Sequence, residues 1–170
     1  YRDLKFKKNQ TRINTNHLNT VLEVGDDFID CESAVTIGKV NRTTISKKRI
    51  VPSLPEGDNF TVGGCLAGLG LGSNSYSYGF FSDNVIDFDI VLGSGEIIKN
   101  VSRTKNSDLY YGIPGTYGTM GIITRVKVKL IPCEKYVKVN YLHYTSFDNF
   151  YDDFKDIINN KKYDFIEAFA

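Results

Sequence analysis

Residues 84–101 read NVIDFDIVLGSGEIIKNV, and this stretch decides the class of fold. Ile86, Phe88, Ile90 and Leu92 recur at every second position, with Asp87 and Asp89 between them. A period of two marks a strand with one buried and one solvent-facing side. Gly93-Ser94-Gly95 supplies a tight turn, and Glu96 to Val101 returns as a second strand. Asp87 and Asp89 fall on the outer face of this hairpin. Solvated or ion-paired carboxylates are expected there, not a general acid and base.

Working outward, a short helix is predicted over Ser107 to Tyr111, broken by Pro114 and the glycines after it. GIITRVKVKLIP (residues 121–132) reads as a strand, with Val126, Val128 and Leu130 alternating against Arg125, Lys127 and Lys129. KYVKVNYLHY (135–144) reads as another. Ser146 is placed to cap a helix whose apolar face carries Phe147, Phe150, Phe154 and Ile158, and an extended segment follows it. Toward the amino terminus, TVLEV and FIDCE flank Gly25-Asp26-Asp27 as a hairpin. Ser33 is placed to cap a helix from Val35 to Lys47. Pro52 and Pro55 exclude a regular helix after it. Lys5, Phe6 and Lys7 alternate like a half-exposed strand. Strands and helices mix without a strict β-α-β rhythm, so the class is α+β.

A chain of 170 residues can bury one real core, as one domain or a pair of small lobes. Hydrophobic residues make up 41% of it, which argues against disorder. Lys and Arg total 21 against 20 Asp and Glu, so no nucleic-acid partner is expected. Cys31, Cys65 and Cys133 are odd in number and form no CxxC pair, so neither a disulfide framework nor a zinc site is expected. His17 and His143 are too few for a histidine-rich metal cluster. No apolar run reaches membrane-spanning length and no signal peptide is visible. The first residue is Tyr1 and not Met, which points to a fragment of something longer.

Residues 61–79, TVGGCLAGLGLGSNSYSYG, hold five glycines between Gly63 and Gly72 and no lysine or arginine. One reading is structural: glycine alone tolerates positive φ at no steric cost. The other is a ligand cradle, in which successive backbone amides form a concave anion site without a basic side chain. The P-loop is excluded, since no Lys-Ser/Thr pair follows Gly72. The Rossmann fingerprint is excluded too, because Gly68, Gly70 and Gly72 are spaced GxGxG with no central strand before them.

Three stretches in order, VPSLPEGDNFTVGGCLAGLGLGSNSYSYG, DNVIDFDIVLGSGEII and SDLYYGIPGTYGTMGIITRVKVKLIP, resemble the PCMH-type FAD-binding domain of the vanillyl-alcohol-oxidase fold. Within that family the likeness is closest to the Δ24-sterol reductases. It extends to LNTVLEVGDDFIDCESAVTIGKV before these motifs and to KYVKVNY and DFIEAF after them. The resemblance implies that residues 1–134 are the carboxy-terminal part of the FAD domain, a mixed or antiparallel sheet flanked by helices. Residues 135–170 would begin the substrate-covering domain. The family's first glycine-rich loop would lie before Tyr1.

The resemblance further implies that the run wraps FAD, its amides facing the pyrophosphate and ribityl chain. The positions carried over are Thr61, Val62, Gly63, Gly64, Cys65, Ala67, Gly68, Gly70, Gly72 and Ser73. GTMGIIT matches the second cofactor contact, with Gly121 and Ile122 along the flavin or adenine, although Ile122 reads equally as a core strand residue. FAD would be non-covalent: neither histidine lies in the run, and Cys65 follows Gly63-Gly64 where a tethering cysteine would precede them. The implied activity is NADPH-dependent reduction of a carbon–carbon double bond in a small molecule such as a sterol with an unsaturated side chain. The alternatives are a flavin oxidase of a sugar, lactone or alcohol using oxygen, and a non-enzymatic remnant of the fold. Membrane association would come only through segments outside this chain, and the sterol likeness implies the endoplasmic reticulum membrane for the full-length protein. No catalytic residue is assigned.

Overall fold

The computed structural model describes residues 13–53 and 55–169. The alternating Lys5, Phe6 and Lys7 lie outside the described residues. Both expected hairpins are present: β1 (Val21–Val24) pairs with β2 (Phe28–Glu32), and β4 (Val85–Leu92) pairs with β5 (Ile97–Ser102). β6 (Gly121–Lys129) joins them, antiparallel to β2 on one side and to β4 on the other. The sheet order is β1-β2-β6-β4-β5. A small pair, β3 (Arg49–Ile50) with β7 (Ile131–Pro132), stands apart from it. Among the described residues five α-helices complete the α+β fold: α1 (Ile37–Thr44), α2 (Val62–Ala67), α3 (Ser75–Tyr78), α4 (Ser107–Gly112) and α5 (Phe147–Asn159).

One sheet face is apolar and carries Ile29, Cys31, Phe88, Ile90, Val126 and Val128. It packs against Val35, Ile37 and Val40 at α1, against Val62, Cys65 and Leu66 of α2, and against Phe81. The alternation of β4 places Phe88 and Ile90 as expected but not Ile86, which is exposed while Val85 is buried. The cause is a register shift between Val85 and Asp87, which moves the first residues of the strand out of phase.

Two further expectations need correction. The cap of α1 is Thr36, not Ser33: the Thr36 hydroxyl oxygen accepts from the Lys39 N–H at 3.2 Å, and the α-helix ends at Thr44 before a 3₁₀ turn. Ser33 is instead buried against the sheet, donating its N–H to the Thr124 carbonyl at 3.0 Å. After the glycine run the chain makes the single turn α3 and no longer helix. Residues 135–144 form no strand, because no described strand offers them a ladder; Tyr136 and Tyr141 are 78% and 94% exposed. The helix α5 forms where expected, but of its aromatic face Phe147 stays exposed and Ile157 is the residue that is buried.

On the outer sheet face Arg125 of β6 gathers three carboxylates. Its Nε and Nη2 donate to Asp30 Oδ2 at 3.0 and 2.6 Å, and its Nη1 donates to Asp87 Oδ1 at 2.7 Å and Asp89 Oδ1 at 3.3 Å. Burial opposes the guanidinium charge, but hydrogen bonds and attraction from Asp30 and Asp87 outweigh it and push the group up. Asp87 and Asp89 are thus ion-paired. Replacing Arg125 with Leu leaves three mostly buried carboxylates without a counter-charge. It is expected to lower stability by about 3 kcal/mol, read from the urea midpoint of the full-length protein. Asp87→Asn is expected to cost less, since Asp30 and Asp89 keep the guanidinium.

Candidate functional site

The glycine-rich run is not a free loop at its start. Residues 62–67 are the helix α2, with Thr61 as its cap accepting from the Gly64 N–H at 3.2 Å. Glycine at two helical positions costs about 1 kcal/mol each relative to alanine, so packing must supply the reason. That packing is a crossing of two threonine-capped helices. Thr36 and Thr61 face each other in an isolated antiparallel bridge. The Ile37 N–H donates to the Phe60 carbonyl at 2.7 Å, and the Val62 N–H donates to the Val35 carbonyl at 2.9 Å. One residue on, the Gly38 N–H reaches the Asp58 carbonyl at 3.0 Å and the Gly63 N–H reaches the Ser33 carbonyl at 2.9 Å. The four bonds are reciprocal, each helix start bonded to the chain leading into the other. A Cβ on Gly38 would lie 2.7 Å from Asp58 Cγ, and one on Gly63 would lie 2.8 Å from Ser33 Cβ. Neither position has room for a side chain.

Beyond α2 the run turns through Leu69, whose φ of 54° is rare for a bulky residue. The Gly68 N–H donates to the Gly64 carbonyl at 2.9 Å and the Gly70 N–H to the Cys65 carbonyl at 2.8 Å. The Gly72 N–H donates to Ser75 Oγ at 3.0 Å. A buried polar knot holds the far end, where the Asn74 amide donates to the Pro52 carbonyl and Ser53 and Ser75 share a hydrogen bond of 2.9 Å.

The structure brings the two predicted cofactor segments together. α2 packs on β6, and the Tyr117 N–H donates to the Ala67 carbonyl at 3.0 Å. Ser33 bridges from the other end, accepting from Gly63 and donating to Thr124. Gly121 opens β6 opposite Leu92, and a Cβ there would lie 2.7 Å from the Val91 carbonyl oxygen. Ile122 is half-buried in the strand beside it, neither fully core nor free.

Two features bear on whether FAD fits these residues. Gly64 is exposed, and Leu69, Leu71, Tyr117 and Met120 are exposed around the run, so a side-chain-poor apolar ridge stands open. That surface suits the uncharged ring and ribityl portions of a flavin. The amides of Val62, Gly63, Gly64, Cys65, Gly68, Gly70 and Gly72 all have acceptors within the chain, so they form no ready-made anion nest. A basic residue stands beside the start of the run on another element. Lys39 of α1 lines a cavity of about 350 Å³ together with Asn16, Asn19, Thr36 and Thr61, its Nζ donating to the Asn19 carbonyl at 2.5 Å. The sequence signal for this arrangement is the pair Thr36-Ile37-Gly38 and Thr61-Val62-Gly63, a shared Thr, β-branched residue and Gly. Among the described residues no group of three or more His, Cys, Asp or Glu is arranged to hold a metal ion.

Cys65 sits inside α2 with its thiol buried. Burial pushes it up to about 12, and burial followed by the Asp30 charge does the same to Cys31. A thiol in that state is no nucleophile near neutral pH. Iodoacetamide at pH 8 is expected to label Cys133, which is only partly buried, and to spare Cys31 and Cys65 until urea is added. Peptide mass spectrometry reads the pattern.

The crossing also makes a stability contrast. Gly63→Ala is expected to cost about 2 kcal/mol through overpacking against Ser33. Gly93→Ala, where a Cβ meets nothing within 4 Å, should stay within about 0.5 kcal/mol of the parent. Thermal unfolding of the two variants measures the difference.

A family model described as FAD binding domain matches residues 3–100, more than half of the chain. The chain is 38% identical over 110 residues to a Delta(24)-sterol reductase of Pisum sativum, covering 65% of this chain and 19% of that protein. It is 31% identical over 176 residues to a Delta(24)-sterol reductase homolog of Caenorhabditis elegans, covering 96% of this chain and 33% of that protein. It is also 37% identical over 113 residues to cytokinin dehydrogenase 4 of Oryza sativa subsp. japonica, covering 66% and 21%. The chain thus spans a third or less of the length of these relatives. With the family model across more than half its residues and an α+β fold around one antiparallel sheet, the chain belongs to the PCMH-type FAD-binding domain family.

Proposed function

We propose that the full-length protein is an FAD-dependent reductase that uses NADPH to saturate a carbon–carbon double bond, with a sterol side chain as substrate. The observation that carries this is the reach of the likeness. Similarity to a sterol reductase homolog covers 96% of the chain, well beyond the residues 3–100 that match the cofactor domain. FAD supplies hydride transfer when bound. The chain's part is to shape and exclude water. Gly64, Gly68, Gly70 and Gly72 give a ridge that a planar ring and its ribityl chain can approach, flanked by Leu69 and Tyr117. Gly121 and Ile122 form the neighbouring wall, and Lys39, which lines a cavity with Thr61, is a cation beside the start of the run for matching the diphosphate charge. The remaining diphosphate donors belong to residues outside the run. We read residues 1–134 as the cofactor domain and 135–170 as the start of the domain that covers the substrate. The exposed apolar side chains of Tyr136, Val137, Val139 and Tyr141 support that division.

A second reading is favoured by one observation, the 37% identity to a cytokinin dehydrogenase. In it the flavin takes its electrons from the organic substrate and not from a nicotinamide. Fold cannot separate the two, because chemistry resides in the substrate site. Among the described residues no helix is long and apolar enough to cross a membrane.

Anaerobic titration of the purified full-length protein distinguishes them. NADPH is expected to bleach the flavin absorbance, and a sterol with an unsaturated side chain is expected to restore it. A flavin that NADPH leaves oxidised, and that an alcohol or amine substrate bleaches, would give the dehydrogenase reading instead. A colourless protein that takes up no FAD would overturn both.

A further inference from the structure

We propose that residues 135–144, KYVKVNYLHY, are a docking edge for a β-strand that the same polypeptide supplies from outside residues 1–170. The inference rests on reading residues 135–170 as the start of a second domain. It is independent of the electron donor and of the substrate.

The segment is rich in strand formers, and Val137, Val139 and Tyr141 share one side of an extended backbone. All three are exposed, Val137 at 73% and Val139 at 63%. Among the described residues no backbone N–H or carbonyl of 135–144 has a hydrogen-bond partner. Yet the segment is held on both sides. Before it, the Cys133 N–H donates to the Lys48 carbonyl at 3.0 Å. Beyond α5, the Tyr76 hydroxyl donates to the Tyr163 carbonyl, and the Ile166 N–H donates to the Ser73 carbonyl at 2.9 Å. An alternating segment between fixed points, with its ladder groups open, is a template for an added strand. The helix that follows has the same need. On α5, Phe147 stacks on Tyr151 with ring centroids 6.1 Å apart, and both stay exposed. An aromatic helix face beside an unpaired strand is buried once a sheet forms against it.

The open backbone selects the occupant. A lipid surface would draw unpaired N–H and C=O groups into hydrocarbon, where each costs several kcal/mol. A second copy can offer a strand, but one on the same chain competes at an effective concentration on the order of millimolar. The match to the Caenorhabditis elegans relative covers 96% of this chain and 33% of that protein, so most of a polypeptide of that size lies outside it.

Hydrogen exchange of the full-length protein, read by peptide mass spectrometry, tests the edge. Peptides within 135–144 are expected to exchange at least about 100-fold more slowly than the same sequence as a synthetic peptide. The N–H groups of Val139 and Asn140 point to opposite edges of a strand, and proline removes either one. At least one of Val139→Pro and Asn140→Pro is expected to lose this protection together with that of a peptide outside residues 1–170, while β6 stays protected. A second readout needs no disruptive variant: Tyr141→p-benzoylphenylalanine is expected to photo-crosslink within one molecule to a residue outside 1–170. Exchange of 135–144 at the synthetic peptide's rate, or protection that survives both proline variants, overturns the inference and leaves the two-domain reading standing. Deprotection of β1 or β5 in a proline variant means that the segment pairs within residues 1–134, and overturns both. An adduct between two molecules, or protection that appears only with sterol-containing phosphatidylcholine vesicles, gives the edge to a second copy or to lipid and overturns the inference.

Discussion

The crossing of α1 and α2 is the constraint on which the site depends. Two helix starts meet at Thr36 and Thr61, and each donates two amides into the chain that leads to the other. The four bonds satisfy donors that a helix terminus otherwise leaves open. They also bring the chains so close that a Cβ on the second helical residue would press on Asp58 in one helix and on Ser33, side chain and backbone, in the other. The register of the glycine run is therefore set before any cofactor is considered. Because Ser33 links Gly63 to Thr124, the same contact fixes the run against β6.

β6 is the second half of that frame. Its nine residues arrive last in the sheet, yet they pair with both hairpins and make one surface of two. Its inner side chains complete the core, and its half-buried Arg125 is the counter-charge for carboxylates from β2 and β4. Three acids on one face would repel one another without Arg125. With it they tie the neighbouring strands to the central one, so the strand that starts with Gly121 and Ile122 has little freedom to shift relative to α2. A site built from segments sixty residues apart needs such stiffness.

Much of the fold was legible in the sequence because it rests on local periodicity. The hairpins and β6 followed from alternation, and the Gly-Ser-Gly turn from composition. What failed were the features decided by partners distant in sequence. Ile86 lost its buried place to a register shift that only the pairing with β6 creates. Residues 135–144 alternate like a strand, but alternation makes a strand only where a ladder is available. The helix at Val62–Ala67 was hidden by its own glycines, whose propensity argues against a helix and whose packing argues for one. Thr61 was the readable signal, and its match with Thr36 was there to see. The site positions in the run were expected from resemblance; the partners of their amides were not legible, since those depend on a crossing no local pattern announces.

That crossing changes what a glycine-rich run without lysine means. Before the fold is known, clustered glycines suggest amides left bare for a phosphate. Here the amides are already bonded, and the glycines at 38 and 63 are explained by the nearness of Asp58 and Ser33. On the proposed reading glycine serves the ligand indirectly, by removing side chains from a ridge whose polar groups are satisfied. Such a ridge attracts flat apolar surface more than charge. A bound diphosphate must find its donors among side chains and segments beside the run, and Lys39, carried on the partner helix of the crossing, is positioned by the same four bonds that occupy the amides.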